Sequence, residues 1–450
     1  MIKIIDLCSK NLQILATFVG ILKINIEQNM NIEKTDVLVI GAGPAGCIAA
    51  SIVHKNGLKV RVVEKVKFPR FVIGESLLPR VMDHLDETGL LEDVKKGGFQ
   101  EKFGAKFLLD DKVCDFNFAD QFSKGWTWTW QVQRAQFDEI LAKGVAKKGI
   151  PVEFEMGVTA IQFNEDNSSI TTVEDINGNK KQIEARYIID CSGYGRVIPN
   201  MLGLNKVSSF DPRKTHFTHF KDPKRPEGAE GNRITVIVHQ QEVWVWIIPF
   251  SNGITSVGFV GNPKYFKDFP EDTIERMKAI VNDCPILSER FNDQEMVLAP
   301  RTIEGYAITS TKFYDDGYVT AGNATEFLDP VFSSGVTFAM ESGSTAAKLV
   351  SRKLKGEEVD FEKEYVDYMM QGINTFRTYV TSWYNGDLHQ IFFTKDPDPG
   401  IKKQICSVLA GYVWDLSNPF VKKHERAVKA LATIIRMQKA AAAEEAAKGK

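Results

Sequence analysis

The feature that most constrains this chain is a glycine turn, Gly41-Ala42-Gly43-Pro44-Ala45-Gly46, set between an apolar run and a helix-forming one. Asp36-Val-Leu-Val-Ile40 precedes it, Cys47 to Gly57 follows, and Lys59-Val-Arg-Val-Val-Glu-Lys65 comes next. Strand, turn, helix and strand make a βαβ unit, and a first strand without polar alternation suits a parallel sheet covered on both faces. Gly41 permits the tight turn, Gly43 lets backbone N–H groups approach a pyrophosphate, and Gly46 lets the helix pack on the strand. Glu64 ends the second strand, where a carboxylate accepts hydrogen bonds from a ribose. The pattern predicts an α/β chain with a Rossmann-type dinucleotide-binding domain.

The rest of the chain is organised around that unit. Helices are expected around Leu77–Thr88 and Arg134–Lys148, and strands near Pro151–Phe163, Ser169–Ile176 and Tyr187–Asp190. Residues 206–310 alternate in the strand manner and read as an antiparallel, substrate-side sheet. A last strand, Gly317–Gly322, returns to the nucleotide domain, which is thus discontinuous over 34–205 and 311–345. Residues 346–440 read as helical and 441–450 as a frayed tail. Residues 1–33 read as a leader: the apolar run Leu12–Leu22 is too short to span a bilayer, and Met30 is the expected working start.

With 56 basic and 58 acidic residues the formal charge is −2, which gives no reason to expect nucleic acid or an anionic membrane as partner. Six scattered cysteines without a CxxC pair argue against a disulfide framework or structural zinc and fit a reducing cytoplasm. His216 and His219 lack the companions of a metal site, so no metal is expected.

Other segments distinguish FAD from NAD by resemblance. Val132-Gln-Arg134-Ala-Gln-Phe-Asp138 is similar to flavin monooxygenase-like proteins, where the arginine heads a helix near FAD. Thr320-Ala-Gly322-Asn323-Ala324 resembles the second FAD motif, with Asn323 in place of the usual aspartate. Arg70 and Asp329 complete the expected cofactor-binding set with Gly41, Gly43, Ala45, Gly46, Glu64, Arg134, Gly322 and Asn323. No second glycine fingerprint offers a nicotinamide site, so reduced flavin is expected from a separate NAD(P)H-dependent reductase.

Four segments together resemble the flavin-dependent halogenases of phenolic and pyrrolic type, over about residues 34–345. Phe68-Pro-Arg-Phe-Val-Ile-Gly-Glu-Ser-Leu-Leu-Pro79 is shared with the geranylgeranyl reductase group, and it marks the superfamily. Trp244-Val-Trp246-Ile-Ile-Pro249 matches WxWxIP, with both indoles on one strand face. Phe327-Leu-Asp-Pro330-Val-Phe332-Ser333-Ser334-Gly335 matches FxxPxxSxG. Gly98-Phe-Gln-Glu-Lys102-Phe-Gly-Ala105 carries a lysine matching the one that halogenases place between flavin and substrate.

The resemblance implies a GR2-like FAD domain, FADH2, O2 and chloride or bromide as reactants, and a role in secondary metabolism. It implies Lys102 as the catalytic amine, Ser333 as the group that positions the lysine or the oxidant, and Ser334 and Gly335 as halide neighbours. Trp244, Trp246, Pro249, Phe327, Pro330 and Phe332 would wall the passage to the substrate. Phe332 stands where tryptophan halogenases carry a glutamate, which points to a phenol or pyrrole. Some such enzymes act on substrates tethered to a carrier protein. An aromatic hydroxylase, a geranylgeranyl reductase-like enzyme and a flavin scaffold without turnover remain alternatives.

Overall fold

The structure, a computed structural model, describes residues 32–207, 211–305 and 307–448. The expected leader lies outside the described residues except for Ile32 and Glu33, which open the first strand, Ile32–Ile40, paired with Gln182 and Ile183. That strand is central to an eight-stranded sheet. Its main order is Tyr314–Asp315, Tyr318–Thr320, Lys180–Asp190, Ile32–Ile40, Val60–Glu64, Val152–Phe154. The four pairings inside that order from Tyr318–Thr320 onward are parallel. Val37, Leu38 and Val39 are fully buried, as a strand covered on both faces requires. Helix Pro44–Lys55 follows the glycine turn and packs against helix Gly335–Leu354. The two cross so closely that a Cβ on Gly343 would stand 2.5 Å from the Ala45 carbonyl oxygen. The α/β, Rossmann-type architecture is the one the sequence predicts.

The second sheet corrects the sequence reading in two respects. Its seven strands run Arg301–Glu304, Lys214–Lys221, Ile254–Gly261, Val243–Pro249, Ile234–Gln240, Gly104–Leu109, Lys112–Asn117. The last two come from the stretch 34–205 assigned to the nucleotide domain, and Gly104–Leu109 pairs in parallel with Ile234–Gln240, so the sheet is mixed. Pairing partners so far apart in sequence leave no local signature. Residues 206–310 also contain helices, among them Thr273–Asp283 and Pro285–Phe291. Met277, Ile280 and Leu287 of these helices bury the face that carries Val245, Ile247 and Phe259. The opposite face carries Trp244, Trp246 and Ile248 into the main core, shared with the nucleotide domain.

Two helix boundaries also differ. The helix expected from Leu77 begins at Val81, because Pro79 holds the preceding residue in an extended conformation. The expected tail continues a helix from His424 to Lys448, an outcome its alanine and glutamate content favours. Among the described residues, no helix is long and apolar enough to cross a membrane.

Candidate active site

A cavity of about 860 Å³ runs from the glycine turn to the aromatic strand of the second sheet. At one end the helix from Pro44 starts without a side-chain cap, so its first N–H groups are left for an anionic ligand. Gly43 lies under the Arg70 guanidinium, where a Cβ would already stand 3.5 Å from Nη2. At Gly46 a Cβ would meet the Gly41 carbonyl oxygen at 1.9 Å, so only glycine fits there. Glu64, buried at the end of its strand, accepts from the Ala42 N–H at 2.8 Å through Oε2 and from the Val66 N–H at 3.1 Å through Oε1. These bonds hold the carboxylate at the cavity wall with lone pairs to spare for ribose hydroxyls. The set fits FAD.

Arg134 is the first residue of its helix, as expected, and is almost fully buried. It forms a fork on Asp138, Nε to Oδ1 at 2.8 Å and Nη2 to Oδ2 at 3.0 Å, while Nη1 donates to the Ile73 and Gly74 carbonyls. Arg70 joins the same carboxylate at 3.0 Å. Asp138 thus fastens two cavity-lining arginines, a role the sequence reading missed although Arg134 and Asp138 are four apart on one helix face. Gly322 donates its N–H to Ser342 Oγ at 2.8 Å, and the Asn323 carbonyl accepts from Arg196, so the second motif is fixed through its backbone.

Trp244, Trp246 and Ile248 line the cavity from the second sheet, with the two indoles 6.0 Å apart. Pro249, of the opposite parity, is not among the lining residues. Phe327, Pro330, Ser333, Ser334 and Gly335 line it from the loop before the long helix. Ser333 has φ 57°, a left-handed conformation, and Ser334 is the uncapped start of the Gly335 helix. Phe332 is turned away, edge-on to Tyr379 and Trp383 of helix Tyr368–Tyr384, which corrects its expected place in the passage.

Asp329 connects this loop to the aromatic strand. Its Oδ1 accepts from the Val331 N–H at 3.0 Å, and its Oδ2 accepts from the Tyr384 hydroxyl at 2.7 Å. Tyr384 in turn accepts from Trp244 Nε1 at 3.0 Å. Burial raises the pKa of Asp329 to about 6, held from rising further by the Tyr384 hydroxyl, the Val331 N–H and Arg213. The side chain of Asp329 is thus committed to the protein, although the residue lines the cavity. Sequence spacing gave no sign of Tyr384.

Lys102 is buried at 1% exposure on the short strand Gln100–Lys102. Its Nζ donates to Ser76 Oγ at 2.9 Å and to the Leu77 carbonyl at 2.8 Å, and stands 5.5 Å from the Phe118 ring centroid. Desolvation lowers its pKa from 10.5 to about 7. Ser76 lines the cavity, so the amine stands immediately behind the loop that walls it. Among the described residues no hydrogen bond joins Ser333 to Lys102, and Ser76, on the GESLLP segment, holds the lysine instead; Ser333 lines the cavity, where the other expected role, holding the oxidant, would place it. The neighbouring Glu75 lines the cavity too, with Oε1 2.8 Å from His219 Nε2 and Oε2 without a partner.

Comparison with known proteins agrees with this geometry. The FAD binding domain family matches residues 34–360. A 1H-pyrrole-2-carbonyl-[peptidyl-carrier protein] brominase of Pseudoalteromonas luteoviolacea is 28% identical over 388 residues, covering 84% of this chain and 92% of that protein. The flavin-dependent halogenase armH5 of Armillaria mellea is 30% identical over 366 residues, covering 74% of this chain and 67% of its own length. Among solved structures, a flavoprotein/dehydrogenase from Cytophaga hutchinsonii shares 62% identity at a TM-score of 0.89, covering 90% of this chain and all of the other.

Proposed function

Because the chain belongs to the flavin-dependent halogenase family, we propose that it halogenates an electron-rich phenolic or pyrrolic ring. The reactants are FADH2 from a separate NAD(P)H-dependent flavin reductase, O2, and chloride or bromide. When bound, the reduced flavin supplies with O2 and halide a small electrophilic halogen species; side chains of this chain do the rest. The glycine turn and the uncapped helix start bind the pyrophosphate, and Glu64 holds the ribose. Arg134 and Arg70, fixed by Asp138, set the edge of the flavin site.

The uncapped helix start at Ser334–Gly335 leaves N–H groups that suit a halide, beside the left-handed Ser333 whose own N–H donates to the Pro330 carbonyl. Trp244 and Trp246 keep a bulky acceptor off the flavin side, so that only a small oxidant passes. The observation that carries the reading is Lys102. Its amine has a pKa of about 7 and so takes or gives a proton near neutrality, and it stands one hydroxyl behind the cavity wall. An amine in that state captures or hydrogen-bonds an oxidised halogen and orients it.

The carrier-bound form of the acceptor is supported by the brominase, whose name specifies a pyrrole-2-carbonyl group on a peptidyl carrier protein. A cytoplasmic location is supported by the five described cysteines, all free and buried. The test is mass spectrometry of products from a panel of phenols and pyrroles. Each is run with reduced flavin supplied, and with chloride, bromide or neither. Halide-dependent gain of a halogen is the expected result. A halide-independent gain of one oxygen refutes the proposal in favour of a hydroxylase.

A further inference from the structure

Halogenation as proposed above needs a proton that its reactants do not carry. Four electrons reduce O2 to two waters, two from FADH2 and two from the halide, and four protons go with them. FADH2 releases two protons and the acceptor ring carbon one, so the fourth must enter from solvent at each turnover. Lys102 has no path to solvent for it: the amine is buried at 1% exposure and bonded inward to Ser76 and the Leu77 carbonyl.

Glu75 is placed to deliver that proton. Among the described residues that line the cavity, it holds the one buried carboxylate oxygen without a hydrogen-bond partner, Oε2. Glu64 and Asp329 have both oxygens engaged. The Glu75 carbonyl accepts from the Val132 N–H and Ser76 bridges to Gln131, so the chain is extended here and successive side chains diverge. Ser76 turns to Lys102, and Glu75 to His219 of the second sheet, with Oε1 2.8 Å from Nε2.

His219 lies in one row with Ser256 and Ile248, and Ile248 lines the cavity. The Glu75 side chain is 1% exposed and that of His219 13%. Since His219 is not among the lining residues, the exposed part of its ring lies outside the cavity wall. Phe71 at 6.1 Å and Phe250 at 5.3 Å flank the imidazole. The nearby cations are committed elsewhere, Arg134 and Arg70 to Asp138 and Arg301 over the Phe71 ring at 4.1 Å. Among the described residues, Glu75 has no ion pair besides that with His219.

We infer that His219 and Glu75 are the proton entry of this site. His219 takes a proton from water at Nδ1 while its Nε2–H bond breaks and an O–H bond forms on Glu75 Oε1. The carboxyl turns about its terminal bond, presents that O–H to the cavity, gives the proton to the oxygen being reduced and returns to carboxylate. The imidazole stays neutral and regains its starting tautomer by exchange with water. The inference rests on the halogenase reading and names the residues that feed it; His219 lies outside the four family motifs.

The test follows protons in the full-length protein loaded with FAD, without turnover. Pulse radiolysis injects electrons into the bound FAD anaerobically, and the absorbance change that accompanies protonation of the reduced ring gives the rate of delivery. Glu75→Gln and His219→Ala are expected to slow it about 10-fold or more, with FAD affinity, measured by flavin fluorescence, unchanged. Formate should restore the rate in Glu75→Gln, and imidazole in His219→Ala. Unchanged rates, or slow rates that neither additive restores, overturn the relay. If Glu75→Gln loses FAD, His219→Ala with imidazole decides alone. The parent reading is scored separately, by trapping oxidised bromide with monochlorodimedone in reactions of the unaltered protein with FADH2 and O2. Bromide oxidation with unchanged proton delivery refutes only the relay. Slowed and rescued delivery without bromide oxidation refutes only the halogenase chemistry.

Discussion

Replacing Lys102 with methionine separates two roles of one amine. The side chain keeps its length and loses its charge and its bonds to Ser76 and Leu77. In the unfolded chain a lysine titrates near 10.4, and in the fold this one titrates at about 7. Between those values the unfolded state holds a proton that the folded state lacks, so the stability of the unaltered protein rises with pH across the window, by about 1.4 kcal/mol per pH unit. Below about pH 7 the full penalty of burying the ammonium applies, on the order of 5 kcal/mol. The lost hydrogen bonds cost about 1 kcal/mol each at every pH. Lys102→Met is therefore expected to be more stable than the parent at pH 6 and less stable at pH 10, while halogenated product falls by about 100-fold or more. Urea denaturation of both proteins from pH 6 to 10 measures the first, and product mass spectrometry the second. Since other groups titrate alike in both proteins, the difference curve isolates this lysine. A flat difference curve refutes the perturbed amine, and retained product refutes its part in the reaction.

Asp138→Ala leaves Arg134 and Arg70 without their shared carboxylate, and should cost about 3–5 kcal/mol in urea denaturation and lower FAD occupancy. Asp138→Asn, which keeps one acceptor, should recover part of both. Gly46→Ala forces a Cβ against the Gly41 carbonyl and should reduce flavin content of the purified protein to background. Tyr384→Phe removes the hydroxyl that joins Trp244 to Asp329 and lets the carboxyl titrate higher than about 6. The expected result is a several-fold higher KM for halide, with the acid limb of its pH profile moved upward and FAD affinity unchanged; an unmoved profile would disconnect Asp329 from the loop.

What was legible in the sequence was local in its physics. The glycine turn is readable because Gly41 has a positive φ and the Cβ that Gly46 lacks would meet the Gly41 carbonyl five residues back, although Cys191 also crowds Gly41 from afar. The shared face of Trp244 and Trp246 follows from strand parity alone, and the same parity should have set Pro249 aside. Lys102 was singled out by its motif, but its burial depends on Ser76, Leu77 and Phe118, which no spacing rule brings together. Tyr384 joins residues 55 and 140 positions away, and such a bridge leaves no trace until the chain is folded. The strands Gly104–Leu109 and Lys112–Asn117 were grouped by proximity in sequence, whereas hydrogen bonding groups them with Ile234–Gln240. The motif position of Phe332 suggests a wall residue, yet beside the left-handed Ser333 its ring packs on helix Tyr368–Tyr384 instead.

The mixed second sheet also limits how this protein can be re-engineered. Its strands are drawn from residues 104–117, 214–261 and 301–304; nucleotide-sheet strands fill the first gap and two helices the second. A chimera that borrows acceptor preference from a relative therefore needs three coordinated splices. A single-crossover library cut anywhere between 118 and 233 would leave one parent's edge hairpin paired with the other parent's Ile234–Gln240 strand.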